Sequence, residues 1–207
     1  MKKSVAVFFA VSAIFVILSG CTSGVNNEIR PADLTAGQQD IVNLLTTGDQ
    51  EVFIFDYQAE GAFAMEFWIE IYAYGELIES IEGLKLSRHD NRINPLNGRL
   101  AVAISNEDDG SFRWEFAVID GDFRATNIVD FAFHTENAGA RTHGPTQEAV
   151  SIEDGRGIIL HTTKFRSGHT VFTDGSRVSQ DYIGQPELLA GYSYVILVKA
   201  RFSSAAH

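Results

Sequence analysis

The sequence predicts an all-β fold, an antiparallel β-sandwich of about eight or nine strands with one short N-terminal helix. From Glu51 onward, apolar residues recur at every second position, which is the period of a half-buried strand. Short polar or glycine-bearing segments separate these runs, as turns between antiparallel strands do. Many strands and few helices favour two packed sheets, with a closed barrel as the alternative.

The predicted helix covers about residues 36–46. Thr35 is followed three residues later by Gln38, which is the pattern of a capping box. Ile41 and Leu44 follow at helical spacing. We expect the helix to pack this apolar stripe on the domain.

Strands are predicted in seven alternating or apolar runs, at residues 51–58, 64–75, 99–105, 112–120, 127–134, 157–165 and 191–203. The acidic segment NEDDGS joins the third and fourth runs and indicates a hairpin. The last run is the longest and most apolar. Because residues on both of its sides are apolar, we place it centrally in a sheet.

The N-terminus has the composition of an export signal. Lys2 and Lys3 precede an uncharged apolar run from Val5 to Leu18. A helix of about 14 residues rises roughly 21 Å, which is short of the roughly 30 Å core that a membrane span must cross. The segment is therefore interpreted as a signal rather than a permanent span.

The sole cysteine follows this run directly. Leu18, Ser19, Gly20 and Cys21 resemble the lipobox of bacterial lipoproteins. The resemblance implies that the Cys21 thiol is alkylated by a diacylglyceryl group and that the chain is cut just before it. Cys21 would then hold the protein to a cell membrane, on its extracytoplasmic side. An ordinary signal peptide cut near Gly20, or a signal anchor, is the alternative.

This interpretation divides the chain into a signal peptide at 1–20, a lipidated cysteine and tether at 21–33, and a single β-sandwich domain at 34–207. Since the chain has no second cysteine, no disulfide can form within it, and the domain must rely on its core. The 27 acidic and 16 basic residues give a net charge of −11. Phosphate backbones repel such a surface, so we predict no nucleic-acid partner.

One strand face is the first candidate site. Glu66, Trp68, Glu70 and Tyr72 share one side of the second predicted strand, and Tyr74 continues it. Aromatic rings can stack on the CH faces of sugars while carboxylates accept hydroxyl hydrogen bonds, so this face could bind a glycan or another small ligand. The alternative is structural, because aromatic residues favour strands and pack on cross-strand neighbours.

Two weaker candidates concern metals. Acidic turns at 106–110, 120–122, 153–155 and 173–175 offer oxygen ligands, but none has the spacing of a calcium loop. A predicted loop at 134–148 carries two histidines and two glutamates, whose spacing matches no zinc motif. Turn geometry and solvated loop histidines explain these residues without a metal. The histidines and glutamates of this loop are His134, Glu136, His143 and Glu148.

No catalytic signature such as GxSxG, HExxH or a phosphate-binding glycine loop is present in the sequence. No cofactor is indicated. The sequence therefore favours a non-catalytic binding or envelope-interaction module whose partner is a protein or a glycan of the cell envelope. A hydrolase of an unrecognised type is the remaining alternative.

Overall fold

The computed structural model describes residues 27–46, 50–87, 96–106, 111–132, 138–167 and 177–204. These residues form eleven strands, one α-helix and two short 3-10 helices. In chain order they are β1 (Glu28–Pro31), α1 (Ala36–Leu45), β2 (Glu51–Ala59), β3 (Ala64–Ala73), β4 (Glu76–Ser87), β5 (Leu96–Asn106), β6 (Ser111–Asp120), β7 (Phe123–Ala132), β8 (Ala138–Pro145), β9 (Val150–Ser151), β10 (Gly157–Ser167), the 3-10 helices Gln180–Ile183 and Pro186–Leu189, and β11 (Tyr194–Ser203).

Two antiparallel sheets make up the fold, and the predicted all-β sandwich is confirmed. The six-stranded sheet has the order β7-β6-β5-β2-β1-β9, and the five-stranded sheet has the order β4-β3-β11-β10-β8. The predicted central position of the last strand is correct, because β11 lies between β3 and β10. The strands flanking NEDDGS pair antiparallel as expected, although residues 107–110 of that segment lie outside the described residues.

The core lies between the sheets. Phe67 of the five-stranded sheet stacks on Phe116 of the six-stranded sheet, with ring centroids 6.3 Å apart. Trp114 is fully buried here. Among the described residues, twenty-five buried side chains form one apolar cluster, which is the main source of stability for a fold without a disulfide.

Two further contacts between the sheets define the ends of the sandwich. At one end, called the Asn27 end, Tyr57 contacts Phe202, and β1 begins beside the turn that follows β2. At the opposite end, called the Glu51 end, Phe112 contacts Phe165. The β3–β4 turn lies at the Glu51 end because β11 begins beside the last residue of β3.

The helix α1 begins as predicted, since Thr35 and Gln38 form the expected capping box. Its expected packing was wrong, however. Ile41 is 58% exposed and Leu44 is 80% exposed, so the apolar stripe faces outward. Among the described residues, no helix is long and apolar enough to cross a membrane.

Two segments differ from the sequence interpretation. Residues 28–31, assigned to the tether, pair with β2 in the six-stranded sheet, so the fold begins at about Asn27. Residues 138–145, assigned to a loop, form the edge strand β8. Both segments carry too little apolar alternation to predict a strand.

Candidate ligand-binding face

Strand β3 presents the predicted acidic and aromatic residues on its outer side. The period of two directs Phe67, Ile69 and Ile71 into the core, where each is almost fully buried. Glu66 and Trp68 consequently lie on the side facing away from the six-stranded sheet. The strand thus separates a packing face from a face that is available for other contacts.

Residues 177–193 cover part of this outer face. Leu189 and Tyr192 of the covering segment pack against Tyr72, Val195 and Leu197 in a second apolar cluster. We call this region the covered half. Its apolar outward residues explain why β11 is apolar on both sides, as the sequence indicated.

A lysine is enclosed within the covered half. Lys164 is 2% exposed, and its ammonium lies 5.5 Å from the ring centroid of Tyr182 and 5.3 Å from that of Tyr192. It also donates to the Arg177 carbonyl at 3.3 Å. Cation–π contacts of this kind are strongest when water is excluded. The lysine therefore joins the cover to the sheet.

The rest of the outer face is open to solvent and forms a shallow cleft of about 480 Å³. We call it the open half. Its lining comes from β3, β4 and β11 and includes Glu66, Trp68, Glu70, Ser80, Lys85 and Arg201. Three strands therefore contribute to the site that the sequence placed on one.

Glu70 is the centre of a hydrogen-bond network in the open half. Its carboxylate accepts from the Trp68 indole Nε1 at 2.8 Å, from the Tyr72 hydroxyl at 2.6 Å and from Lys199 Nζ at 2.7 Å. The Lys199 side chain is 7% exposed and that of Glu70 is 13% exposed. The Glu70 carboxylate thus has three donors where the chain excludes most water.

Glu66 forms the second acidic position, four residues before Glu70 on the same side of β3. It pairs with Lys85 of β4, whose Nζ lies 2.9 Å away, and it accepts from the Arg201 guanidinium of β11. The carboxylate therefore bridges both neighbours of β3. Lys85 and Arg201 remain about 40% exposed at the rim, where they can meet a ligand.

Trp68 lies between these two ion pairs. Lys199 and Arg201 approach its ring to 5.7 and 5.6 Å from the centroid. Gly157 of β10, the strand on the other side of β11, lies close to the ring, and a Cβ there would be in ordinary contact with it at 3.5 Å. The indole is held by cations and backbone while it still lines the cleft.

Both carboxyl groups of the network are kept ionised. Burial raises the pKa of Glu70, but hydrogen bonds from Lys199, Trp68 and Tyr72, with the Lys199 charge, outweigh it and lower the pKa overall. For Glu66, burial likewise raises the pKa, but Arg201 and Lys85 together outweigh burial and lower the pKa overall. Burial and the Glu70 carboxylate raise the pKa of the Tyr72 hydroxyl. The open half therefore presents fixed charges of both signs.

The four predicted residues divide between the two halves. Glu66, Trp68 and Glu70 line the cleft, whereas the Tyr72 ring is buried under the cover and only its hydroxyl reaches Glu70. Tyr74 occupies the β3–β4 turn, with φ of 51° and 64% exposure. The predicted lipid attachment residue, Cys21, lies outside the described residues.

The basic partners were missed by the sequence analysis. Lys199 and Arg201 continue the outer side of β11, and Lys85 continues that of β4. Alternation in β11 assigns its basic residues to one side, but only the strand order shows that this side adjoins Glu66 and Glu70. The sequence thus shows the basic residues on one side of β11, but it does not show that β11 pairs with β3.

A second polar cluster lies between the sheets near the Glu51 end. His161 is fully buried, its ring 4.8 Å from Phe53 and 5.7 Å from Trp114 by centroids. His143 lies 6.1 Å from His161 by ring centroids, and its Nδ1 is 3.0 Å from Glu51. Within the described part of the chain, both nitrogens of His161 and the Trp114 Nε1 have no hydrogen-bond partner.

The two histidines are held neutral. Burial, followed by the charges of His143 and Arg141, lowers the pKa of His161 well below its usual value. Burial also lowers the pKa of His143, where Glu51 raises it and Arg141 lowers it. Among the described residues, no group of three or more metal-ligating side chains is positioned to hold an ion.

The remaining metal candidates are not assembled into a site in the described chain. His134, Glu136 and the turn residues 107–110 and 173–175 lie outside the described residues. Asp154 bonds to Ser204, and Glu148 lies 3.6 Å from Arg177. These contacts give the two carboxylates ordinary structural roles.

Comparison with known proteins gives one match. A YgaN domain family model matches residues 28–202, from the first strand to the end of β11. Neither the curated proteins nor the solved structures contain a match to this chain. The match covers both sheets and the open half, and the chain belongs to the YgaN domain family.

Proposed function

We propose that this protein is a lipid-anchored bacterial lipoprotein on the extracytoplasmic side of a cell membrane. Its folded part acts as a non-catalytic binding module, and the open half is its binding face. The observation that carries the binding proposal is the cleft of about 480 Å³ in which Trp68 and ionised side chains of both signs meet solvent.

The order of features at the N-terminus supports the anchor. Lys2 and Lys3, the apolar run and the LSGC sequence follow one another as in lipoprotein signals. The chain offers one thiol, so acylation has a single target. Two acyl chains hold a protein to a bilayer stably, whereas one does so only marginally.

The chemistry of the cleft favours a polar, uncharged ligand such as a glycan. Glu66 and Glu70 are matched by Lys85, Lys199 and Arg201, so neither sign of charge dominates. Sugar hydroxyls can donate to carboxylates and accept from the ammonium and guanidinium groups at the rim. The ring of Trp68 adds an apolar surface, as ligand sites with few placed polar groups do.

The same geometry disfavours a glycosidase. That chemistry requires one carboxyl group with a raised pKa, which donates a proton to the leaving group. Here, the pKa of Glu66 and that of Glu70 are both lowered. The pair is suited to accepting hydrogen bonds and not to general acid catalysis.

Expression of Cys21→Ala tests the anchor. We expect the wild-type protein to sediment with membranes and to carry an acylated N-terminal Cys21 by mass spectrometry. The variant should lose this modification and its stable membrane attachment. An unmodified Cys21 in the wild-type protein, or equal retention of the variant, would defeat the anchor proposal.

A cleft-filling variant tests the binding face. Ser80 lines the cleft from β4 and is exposed, so Ser80→Trp fills the open half without breaking its ion pairs. On a glycan array, we expect the detergent-solubilised wild-type protein to bind a glycan and Ser80→Trp to lose at least about tenfold in affinity. Ser151→Trp, on an exposed position of β9, is the matched control and should bind as the wild type does. Equal binding by both variants would place the ligand elsewhere.

A further inference from the structure

The chain enters the fold at a fixed point. The Asn27 side-chain oxygen accepts from the Glu60 backbone N–H at 2.6 Å, and its carbonyl accepts from the Ile152 N–H at 2.8 Å. These two bonds hold the residue next to the turn between β2 and β3. Any anchor at Cys21 therefore pulls on the sandwich at its Asn27 end.

The reach of the tether is short compared with the sandwich. Six peptide steps join Cys21 to Asn27, and they span at most about 22 Å when fully extended. A strand of ten residues, such as β11, is about 33 Å long. Cys21 itself thus cannot reach the Glu51 end, and with its acyl chains in the bilayer the Asn27 end stays close to the membrane surface.

This end of the molecule displays two phenylalanines at turns. Phe63 precedes β3 and is 37% exposed, and Phe123 begins β7 and is 49% exposed. Together with Met65, Leu86 and Leu96 they line a mostly apolar groove of about 120 Å³, whose lining also includes Ser87 and Asp120. Exposed apolar side chains that adjoin one another can mark a site of membrane contact.

We propose that Phe63 and Phe123 insert into the bilayer surface to which Cys21 is anchored, so that the Asn27 end forms the membrane-facing side of the protein. This inference rests on the proposed lipid anchor. Aromatic side chains are favoured at the membrane–water interface. The exposed carboxylates of Glu60 and Asp122 and the exposed guanidinium of Arg124 adjoin these turns, so the end carries charges of both signs and suits a zwitterionic bilayer.

The anchor also orients the binding face. The open half lies on the outer face of the five-stranded sheet and not on the Asn27 end or the Glu51 end of the sandwich. With the Asn27 end on the bilayer, this sheet stands upright, and its cleft opens sideways above the headgroups. A glycan within a few tens of Å of the membrane could then enter it.

A nitroxide depth measurement tests the inference on the full lipoprotein. Because the lone cysteine is acylated in the proposed anchor, Phe123→Cys supplies a single free thiol for a spin label. Leu77→Cys, at a 54% exposed apolar position near the Glu51 end, is the matched control. Each labelled protein is reconstituted in phosphatidylcholine vesicles, and relaxation by oxygen is compared with relaxation by a water-soluble nickel complex. Phe63→Cys provides a second site should Phe123→Cys fail to fold.

The expected result is a label at position 123 or 63 that oxygen relaxes and nickel does not, with the reverse at position 77. Labels in water at both ends of a vesicle-bound, acylated protein would overturn the inference and leave the anchor intact. Dipolar broadening between labels at position 123 would show that a second copy covers the groove, which also overturns it. Mass spectrometry of the N-terminus separates these results from a failed anchor, because an unmodified Cys21 rejects both proposals.

Discussion

The two polar clusters of this sandwich differ in how completely their polar atoms are partnered. In the open half, Glu70 accepts three hydrogen bonds and forms an ion pair with Lys199. Between the sheets, by contrast, His161 has no hydrogen-bond partner among the described residues. The Glu70 carboxylate and the His161 ring are both largely buried, yet only the carboxylate has hydrogen-bond partners among the described residues.

This difference sets the charge of each cluster. A carboxylate with matched donors remains ionised although burial opposes it, whereas a buried imidazole without an acceptor loses its proton. Fixed charges are consequently kept on the outer face, where a ligand can meet them. The interior remains neutral, as a core between two sheets requires.

The largest effect is expected for Glu70→Ala. Truncation leaves the buried Lys199 ammonium without its carboxylate, and removal of one partner from a buried pair costs about 3–5 kcal/mol. We expect a loss of about 3 kcal/mol in the free energy of unfolding, at the low end because the cleft admits water near the pair. Urea denaturation at pH 7 measures it.

The double variant Glu70→Leu with Lys199→Met is the control. Replacement of a whole buried ion pair by apolar residues is often neutral. It should therefore restore most of the stability that Glu70→Ala loses. A double variant as unstable as the single one would show that the hydrogen bonds from Trp68 and Tyr72, and not the ion pair with Lys199, account for the effect of Glu70.

The next effect is a loss of stability in mild acid that originates at His161. Its pKa is depressed in the folded state, so the unfolded chain binds the additional proton as pH falls below about 6.5. The contribution of His161 to stability is complete well above pH 6.5 and is lost progressively as the pH falls below it, with a limiting slope of about 1.4 kcal/mol per pH unit because one proton is taken up on unfolding. Urea midpoints across this range should approach that slope.

His161→Leu should flatten this limb of the pH profile. His143→Gln is the comparison, and its effect should be smaller because the His143 side chain is 31% exposed. Glu66 and Glu70, whose pKa values are lowered, contribute stability that is present above about pH 4.5 and lost only below it. A His161→Leu profile that retains the wild-type slope above pH 5 would contradict this assignment.

Periodicity predicted the parts of the fold in which a residue's own neighbours determine its environment. The alternation in β3 separated Phe67 and Ile69 from Glu66 and Trp68, and the capping box located the start of α1. The apolar character of β11 on both sides placed it centrally. All of these features are local in sequence.

The parts that were missed depend on contacts between distant segments. Lys199 meets Glu70 across 129 residues of sequence, a pairing that only the strand order reveals. The cover over Tyr72 comes from short 3-10 helices without a period of their own. Likewise, the apolar stripe of α1 is present in the sequence, but whether a sheet lies beneath it is decided elsewhere in the chain.

A smaller effect is expected for Trp68→Leu in the open half. The substitution removes the cation–π contacts from Lys199 and Arg201, each worth about 0.5–1 kcal/mol at a partly exposed site. We expect a total loss of about 1–2 kcal/mol by urea denaturation. Trp68→Phe keeps a ring for both cations and should lose less. Equal losses for the two variants would assign the effect to the indole hydrogen bond to Glu70.

The smallest effects on the free energy of unfolding are expected when a buried hydroxyl is removed. The sign of the change should depend on whether that hydroxyl has a hydrogen-bond partner. Thr163 Oγ1 is buried on the inner side of β10 with no hydrogen-bond partner in the described chain, whereas buried Ser193 donates to the Phe165 carbonyl at 3.0 Å. Thr163→Val removes an unsatisfied polar group and should raise the free energy of unfolding by about 0.5–1 kcal/mol. Ser193→Ala breaks a formed bond and should lower it by about 1 kcal/mol. If Thr163→Val were instead destabilising by as much as Ser193→Ala, the hydroxyl would have a bonding partner in solution, and the contrast between the inner and outer clusters would not hold at that position.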